Sequence, residues 1–549
     1  MDATRRDSIA PYLLLAAVLA LATAALLSLG DGLTFYQDTW AYLLNRPGFS
    51  ADAFLAPHNE HIVVIPVAIE KLLVELFGMG TALPEYLVLD AMLLATALLV
   101  FVYVRRRLGP WPALLATVLV LFLGPAWQVL LWPFEIALVG STLTGLAMLL
   151  TLEREDRRGD VAACVLLVLS IGFSSLGVAF AAAALVHVVG HRRTLGLRRL
   201  YVPAVGIALY GAWYLGYGHE AESHLSVDNV LQAPIFVVKG LSASVGALSG
   251  LTAIGGDPAG RPYLGFGLLV VLLALLGWRL WRDPRIPASF WPAAAAAAAF
   301  WLLAALNRSP GRDAQANRYM HFGAILILLM AADLLKGVRF GVRALLAGAA
   351  IVLAVTAVNF GELLDGRDAL KEQTLLTRAD LAAMEIASRT IPPDFSLRPE
   401  VAGTPSLVDV NTASYFAAAR DHGSPAYTAL ELAEAPELGR AQADRVLAAA
   451  LPIEVTMRGA PEQPLGSGIC RGLTGPDSSV GLRPGETSVL LAKGPPATLS
   501  LRRFAVGEFP VPVATAAGGS VVTLDIPPDS AARRWFLRIE SPQGARVCP

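Results

Sequence analysis

The chain has 549 residues, of which 55% are hydrophobic and only 16% are charged. This composition, with a mean hydropathy of +0.56, excludes an ordinary water-soluble globular protein of this length and indicates an integral membrane protein. The formal net charge of −1 offers no basic surplus for a nucleic-acid partner.

Apolar runs of about 17–25 residues predict about eleven transmembrane helices. They lie at 10–30, 84–104, 111–130, 134–152, 160–174, 175–190, 200–217, 263–281, 287–305, 319–336 and 343–360. The run over 160–190 is divided by a stretch rich in glycine and serine at 172–177, which favours a tight turn. A signal peptide is the alternative for residues 1–30, but no convincing cleavage site precedes a soluble domain. We therefore expect the first span to be retained.

Basic residues are concentrated in alternate loops between these spans. The clusters are Arg5–Arg6, Arg105–Arg107, Arg154–Arg158, Arg192–Arg199, Arg279–Arg285 and Lys336–Arg343. Because loops rich in lysine and arginine stay in the cytoplasm, the N-terminus is predicted to be cytoplasmic. The long polar segments are then extracytoplasmic, namely 31–83, 218–262, 306–318 and everything after 361. We expect a multi-pass protein of the plasma membrane, in contact with membrane lipid.

Two apolar segments are expected not to cross the membrane, because a crossing would move the later basic clusters to the other side. Segment 62–77 contains Pro66, Glu70 and Lys71, which favours an amphipathic helix at the interface. The segment at about 230–254 is expected either to lie at the outer face or to form a re-entrant hairpin.

The composition after about residue 361 is that of a water-soluble region. Helical spacing over 364–391 and 426–450 gives way at about 452 to short strands separated by glycine and proline, which favour a small sandwich. We divide the chain into a transmembrane domain over 1–360, an extracytoplasmic helical segment over 361–451 and a β-sandwich-like domain over 452–549. Cys470 and Cys548 both lie outside, where oxidising conditions allow a disulfide between them.

The architecture of residues 1–360 resembles a known enzyme class. The features are an inside N-terminus, the acidic Asp38 soon after the first span, an interfacial helix in the first outer loop and a soluble region after the last span. Together they resemble the GT-C class of glycosyltransferases, which use polyprenyl-phosphate-linked sugars. The resemblance implies a GT-C-like transmembrane catalytic domain.

The resemblance also implies that the acidic residue of the first outer loop is the catalytic base, and Asp38 matches that position best. Asp31 is the competing residue. A carboxylate suits the work because a base must take the proton from the acceptor hydroxyl as that hydroxyl attacks the anomeric carbon. The alternative is that Asp38 only caps the helix that begins at Thr39, although the two roles are compatible.

Further polar side chains are candidates for substrate binding. His58, Asn59, Glu60 and His61 can recognise sugar or acceptor hydroxyls, or fix their loop by hydrogen bonds. His58, Glu60 and His61 can also bind a divalent metal, although their spacing is not that of the zinc peptidases. Glu135, at the outer start of the fourth span among aromatic residues, either reads sugar hydroxyls or belongs to an anchoring belt.

The outer loop before the tenth span gathers Arg308, Arg312 and Arg318 on the side where arginine is otherwise scarce. Arg318 and Tyr319 enter the span together, which is similar to a pair in several lipid-sugar glycosyltransferases and there implies binding of the lipid phosphate. A guanidinium can hold two phosphate oxygens. Contact with lipid head groups is the alternative for all three arginines.

We therefore predict a membrane glycosyltransferase that moves a sugar from a polyprenyl-phosphate donor to an extracytoplasmic glycan, lipid or protein acceptor. Asp38 is the expected base and Arg318 the expected ligand of the donor phosphate. The first alternative is a transporter or flippase of lipid-linked glycans, but the charged groups gather at the outer face and the spans show no inverted repeat. The second is a non-catalytic scaffold that displays the C-terminal region.

Overall fold

The structure is a computed structural model that describes residues 9–192, 196–251, 262–282, 284–309, 312–398, 410–459 and 470–548. The chain divides into two compact units. The first comprises Met1–Gly32, Arg46–Leu73 and Leu83–Ala369. The second comprises Leu33–Asn45, Val74–Ala82 and Leu370–Pro549. Two stretches of the first outer loop therefore belong with the C-terminal region rather than with the membrane helices.

Helices account for the membrane part of the chain, because backbone groups in lipid must be satisfied within the segment itself. The helices up to residue 386 are α1 Ala10–Gly30, α2 Thr39–Leu44, α3 Ala51–Leu55, α4 Val64–Phe77, α5 Leu83–Leu108, α6 Pro110–Leu121, α7 Trp127–Leu131, α8 Ile136–Leu152, α9 Arg157–Phe173, α10 Gly177–Gly190, α11 Tyr201–Gly216, α12 Val227–Ser249, α13 Pro262–Arg282, α14 Phe290–Leu306, α15 Asn317–Leu334 and α16 Val342–Ile386.

A helix occupies each of the eleven predicted positions, and the protein is a multi-pass membrane protein. By length and composition, six helices in the described part of the chain are sufficient to cross a membrane. A seventh is added if α6 and the bent continuation Gly124–Leu131 form one span. Gly124 lies at this bend, where a β-carbon would come within 1.8 Å of the backbone oxygen of Asn359. The bend therefore requires glycine, since no side chain fits there.

One end of the bundle is defined by basic residues. Arg106 and Arg107 in the last turn of α5, Pro292 near the start of α14 and Lys336 after α15 line one cavity. Cations at a helix C-terminus are favoured by the helix dipole, as in α5. We call this end of the first unit the arginine face, and we call the opposite end, which carries Glu60 and Arg318, the loop face.

Helix α12 is long and apolar enough to span a membrane, yet both of its ends contact the loop face. The Asn229 side chain donates hydrogen bonds to the carbonyls of Leu306 (3.3 Å) and Arg308 (3.0 Å), at the far end of α14. Near the other end of α12, the Ala247 carbonyl accepts a hydrogen bond of 3.1 Å from Asn359. Because α14 and α16 both rise from the arginine face, α12 stays on the loop face as one continuous helix, and the hairpin alternative does not describe it.

Aromatic packing fixes the position of α15 in the first unit. The rings of Phe300 on α14 and Phe322 on α15 are 4.6 Å apart and edge to face, and Phe300 also contacts Tyr319 at 5.8 Å. On α12, a β-carbon at Gly240 would come within 2.1 Å of the Trp301 ring. The small residue lets the two helices approach closely. These contacts hold the first turn of α15, where the candidate site begins.

The second unit ends in two antiparallel sheets. Their strands are β1 Glu454–Arg458, β2 Arg471–Leu473, β3 Asp477–Leu482, β4 Gly485–Leu491, β5 Ala497–Arg502, β6 Val511–Ala516, β7 Val521–Ile526, β8 Trp535–Glu540 and β9 Ala545–Cys548. The strand orders are β1-β7-β4-β9-β2 and β3-β8-β5-β6. Burial alternates along β4, β5 and β8, as expected for strands with one face in a sandwich core. A disulfide joins Cys470 to Cys548.

The helices of the second unit are bound to these sheets. They are α17 Thr412–His422, α18 Ala429–Glu434 and α19 Glu437–Ala450. The carboxylate of Asp444 on α19 accepts backbone hydrogen bonds from Arg503 (2.7 Å), Phe504 (2.8 Å) and Ala505 (3.0 Å). The predicted boundary at 452 therefore lies inside one compact unit. The predicted boundary at 361 falls inside α16, because that helix continues to Ile386.

Candidate functional site

The histidine-rich stretch of the first outer loop forms a tight turn. The backbones of His58 and His61 exchange two hydrogen bonds, of 3.0 and 2.9 Å. Asn59 within the turn has φ of 49°, a left-handed conformation that asparagine tolerates better than most residues. The Ser175 hydroxyl, in the turn between α9 and α10, accepts the N–H of Ile62 at 3.2 Å. The membrane helices thus hold this turn in place.

The segment that leads into the turn is held by Arg46, a residue that the sequence analysis did not select. Its buried guanidinium donates to the carbonyls of Ala53 (3.2 Å), Ala56 (2.9 Å) and Pro57 (2.9 Å). The Lys71 ammonium in turn donates to the Arg46 carbonyl. A signal was present in the sequence, because Arg46 is an arginine in a loop assigned to the side where arginine is scarce.

The turn brings Glu60 to Arg312, from the loop before α15. Arg312 Nη1 lies 2.5 Å from Glu60 Oε1, and the two side chains are 23% and 17% exposed. Burial alone would raise the pKa of Glu60, but the adjacent His61 and Arg312 side chains outweigh it and lower that pKa below its usual value. Glu60 is therefore a carboxylate at neutral pH, and it orients one edge of the Arg312 guanidinium.

His61 lies between the acidic and basic members of this group. Its Nε2 is 3.6 Å from Glu60 Oε1, and 37% of the side chain remains exposed. Surrounding protein and the positive charges of Arg312 and Arg318 lower the pKa of His61 against the opposing effect of Glu60. The imidazole is therefore neutral at pH 7. Within the described ranges, no three histidine, cysteine, aspartate or glutamate residues are arranged to hold a metal ion.

Arg318 lies over an aromatic surface. Its guanidinium carbon is 5.8 Å from the centre of the Trp132 ring, a cation–π distance. Trp132 stacks on Phe134 with centroids 4.9 Å apart, and the His58 ring meets Phe134 edge to face at 5.4 Å. The first outer loop, the start of α8 and the start of α15 therefore meet at one place on the loop face.

Two other residues predicted to bind substrate are Arg308 and Glu135, whose surroundings differ from those of Glu60 and Arg312. Arg308 donates to Gln232 Oε1 on α12 at 3.1 Å and lies 4.0 Å from Asp228, so it is committed to α12. Glu135 ends a short 3₁₀ turn before α8 and is 1% exposed. Its carboxylate is thus below the surface beside the Trp132–Phe134 stack, and not displayed to water as a belt residue would be.

Asp38 belongs to the second unit, whereas the residues described above belong to the first. It is half-buried and directly precedes α2, but its side chain makes no capping hydrogen bond to that helix. The neighbouring Trp40 is 1% exposed and packs edge to face against Phe35 (5.7 Å) and Tyr415 (6.4 Å). The competing Asp31 is exposed at the end of α1 in the first unit.

The polar side chains gathered at the loop face of the first unit favour binding of an anion. We call Glu60, His61, Arg312, Arg318 and Tyr319 the loop-face cluster. With a neutral imidazole, two guanidiniums face one carboxylate, which leaves one excess positive charge. Guanidiniums bind phosphate or carboxylate oxygens in pairs, and the adjacent, partly exposed Phe134 ring offers a contact for an apolar or sugar-ring face.

No protein-family model matches this chain, and no curated protein matches it. Its structure is similar to a crystal structure of ArnT from Cupriavidus metallidurans in the apo state. The two chains are 15% identical, and the match covers 76% of this chain and 90% of ArnT with a TM-score of 0.46. For ArnT bound to undecaprenyl phosphate the identity is 14%, the coverage 77% and 90%, and the TM-score 0.46. ArnT is a GT-C glycosyltransferase, the class that the sequence resembles.

Proposed function

We propose that the protein is a membrane glycosyltransferase that takes a sugar from a polyprenyl-phosphate donor and transfers it to an extracytoplasmic acceptor. The observation that carries the proposal is the position of two arginines in the loop-face cluster: Arg312 is paired with Glu60 at 2.5 Å, and Arg318 lies 5.8 Å from the centre of the Trp132 ring. Two guanidiniums at a membrane surface, with one carboxylate between loops, suit the phosphate of a lipid whose chain remains in the bilayer.

The reaction needs positive charge at that phosphate. An acceptor hydroxyl oxygen attacks the anomeric carbon, the bond between that carbon and the phosphate oxygen breaks, and polyprenyl phosphate leaves with the electron pair. The leaving phosphate therefore gains negative charge in the transition state. Arg318 and Arg312 would stabilise this charge, because fixed donors need no reorganisation as the charge develops. The acceptor proton goes to a base, for which we propose Asp38.

Glu60 and several residues beside the loop-face cluster have supporting roles in this proposal. Glu60 holds Arg312 before the donor arrives and can then accept a sugar hydroxyl through its second carboxylate oxygen. The partly exposed Phe134 ring, which stacks on the buried Trp132, offers an apolar contact for the sugar ring. His58 and Asn59 shape the turn that presents Glu60, and the buried Glu135 can receive a hydroxyl that enters below the surface.

We infer that the loop face is extracytoplasmic and that the N-terminus and the arginine face are cytoplasmic, in a plasma membrane. The alternation of basic loops supports this orientation. The disulfide between Cys470 and Cys548 supports an extracytoplasmic position for the C-terminal region, because such bonds persist in oxidising compartments. The acceptor would then be a glycan, lipid or protein outside the cytoplasm, consistent with envelope biogenesis.

The test is transfer of radiolabelled sugar from synthetic polyprenyl-phosphate donors by the full-length protein in nanodiscs, with envelope lipid and glycan fractions as acceptors. We expect transfer that falls by about a hundredfold or more in Asp38→Asn, since a general base contributes about 10²–10⁴-fold. The same assay with and without EDTA shows whether the reaction needs a divalent metal. Equal rates of transfer by Asp38→Asn and wild type would refute the proposal that Asp38 is the general base. Absence of transfer with every donor, with measurable translocation of a lipid-linked glycan, would favour the transporter.

A further inference from the structure

The arginine face contains a cavity of about 490 Å³ that takes no part in the proposed transfer. It lies where the ends of α5, α8 and α10 meet the start of α14, and Lys336 closes one side. Leu149 and Pro292 supply apolar wall, while Arg106, His187 and Glu155 supply polar wall. The cavity therefore combines an apolar lining with charged groups at the membrane surface, as a lipid or phosphate site does.

One wall of the cavity is fixed by a buried ionic network. Arg107 lies 2.5 Å from Asp333 and 2.5 Å from Glu153, and the Tyr103 hydroxyl donates to Asp333 at 2.6 Å. Asp333 is fully buried. Arg106 adds an ion pair of 3.0 Å with the same Glu153. These contacts neutralise Arg107 and fix its side chain in the wall of the cavity. Moving Arg107 or Asp333 would leave a buried charge without its partner, which is strongly destabilising.

Two donors that line the cavity are not committed to this network. His187 is 7% exposed, and its Nε2 has no hydrogen-bond partner within the described part of the chain. The ring is held by stacking on His191, with centroids 4.5 Å apart. Lys336 is exposed and forms no ion pair with any residue that the structure describes. A buried nitrogen without a partner is costly, so a ligand that supplies the missing bond would be stabilised there.

The donor that can attract an anion to the cavity is Lys336. Arg106, Arg107 and Lys336 are balanced by Glu153, Glu155 and the buried Asp333, so the net charge is zero before the histidines are counted. The carboxylates are committed to the two arginines or lie near His191, and Lys336 forms no ion pair among the described residues. Glu155 is 46% exposed and lies 3.9 Å from His191, at the rim. Arg106, at 47% exposed, and Lys336 also lie toward the open side, whereas His187 is buried. A guanidinium, an ammonium and an imidazole are donors that phosphate oxygens accept from.

We propose that this cavity binds a phosphate group, from either a phospholipid headgroup or a soluble phosphate compound on that side of the membrane. Lys336 and Arg106 contact the phosphate oxygens, and His187 donates from Nε2. The site is separate from the loop-face cluster, so it stands whether or not the protein transfers sugar. Its chemistry is binding, with no covalent step.

The test measures saturable binding of two probes to the full-length protein in dodecyl maltoside. They are inorganic phosphate and dihexanoyl phosphatidylglycerol, with dihexanoylglycerol as the lipid that lacks phosphate. We expect Lys336→Gln to weaken binding of at least one phosphate probe by about fivefold, as for a single exposed charge. The matched control is Arg339→Gln, which removes an exposed charge three residues away and is expected to change the Kd by less than about twofold.

The two probes separate the sources of the phosphate. Binding of inorganic phosphate indicates a soluble ligand, and binding of the phosphatidylglycerol alone indicates a headgroup. Arg318→Gln, at the loop face, is expected to leave this binding intact, which distinguishes the cavity from the donor site. A second pair of variants tests His187. His187→Gln keeps a side-chain N–H donor in place of Nε2 and is expected to retain binding, whereas His187→Leu has no donor and is expected to lose binding. No binding of either probe, or equal weakening by Lys336→Gln and Arg339→Gln, would overturn the proposal.

Discussion

Arg312 Nη1 lies 2.5 Å from Glu60 Oε1, and this contact joins two loops that are 252 residues apart in the sequence. Both side chains are largely shielded from water. The pair therefore ties the first outer loop to the loop before α15 and gathers the groups of the loop-face cluster.

The Glu60–Arg312 pair is expected to stabilise the protein. Glu60→Gln and Arg312→Gln should each lower the free energy of unfolding by about 1.5–3 kcal/mol, the range for hydrogen bonds to charged groups. The double variant should cost less than the sum of the two, because the interaction is lost only once. Unfolding by SDS titration in mixed micelles measures all three differences. The matched control is the exposed Arg538–Asp477 pair, whose coupling should be below about 1 kcal/mol.

The same pair predicts a pH dependence. Because the pKa of Glu60 is lowered in the folded protein, its contribution to stability is present above the ordinary glutamate pKa of 4.5 and is lost as the pH falls through the lowered value. The stability difference between wild type and Glu60→Gln should accordingly be constant from neutral pH down to about pH 5 and shrink below that. A difference that grows as the pH falls would contradict the assignment of Glu60 as a paired carboxylate.

Arg46 is expected to organise the loop before His58. Arg46→Gln removes donors to three backbone carbonyls and should increase cleavage within 46–57 by a non-specific protease about tenfold or more, as local opening becomes easier. Arg46→Lys keeps the charge but not the forked geometry, so an intermediate rate is expected. Mass spectrometry of the fragments locates the cuts. Unchanged cleavage of this loop in Arg46→Gln would show that other contacts hold it.

The positions of the membrane helices follow from local sequence, because an apolar run of span length has few alternatives to a helix in lipid. The hydrogen-bond partners of the loop arginines do not follow from local sequence. Arg308 and Arg312 are four residues apart, yet one is bound by Gln232 on α12 and the other by Glu60. Only the packing of α12 against α14 decides between them. The position of Asp38 could not be predicted from local sequence either. Its segment belongs to the second unit because Trp40 packs against Tyr415, a residue far away in the sequence.

The disulfide is expected to stabilise the second unit by constraining its unfolded chain. The bond closes a loop with a sequence separation of 78, for which the chain-entropy relation gives about 4.5 kcal/mol. Cys470→Ser with Cys548→Ser should therefore lower the unfolding midpoint of the β region, as followed by the fluorescence of buried Trp535. Cys164→Ser is the control, since Cys164 is a free cysteine in α9 and outside that unit. An equal effect of both changes would contradict the expected role of the bond.

The role of Arg318 in holding the donor phosphate is tested by the rate of sugar transfer at subsaturating polyprenyl-phosphate donor, compared among wild type, Arg318→Gln and Lys239→Gln. Lys239 is an exposed cation on α12 that lies outside the loop-face cluster. If Arg318 holds the donor phosphate, Arg318→Gln should lower the rate by about ten- to a hundredfold, as for loss of a charge-assisted hydrogen bond, and Lys239→Gln should stay within about twofold of wild type. Equal rates for Arg318→Gln and Lys239→Gln would contradict the account.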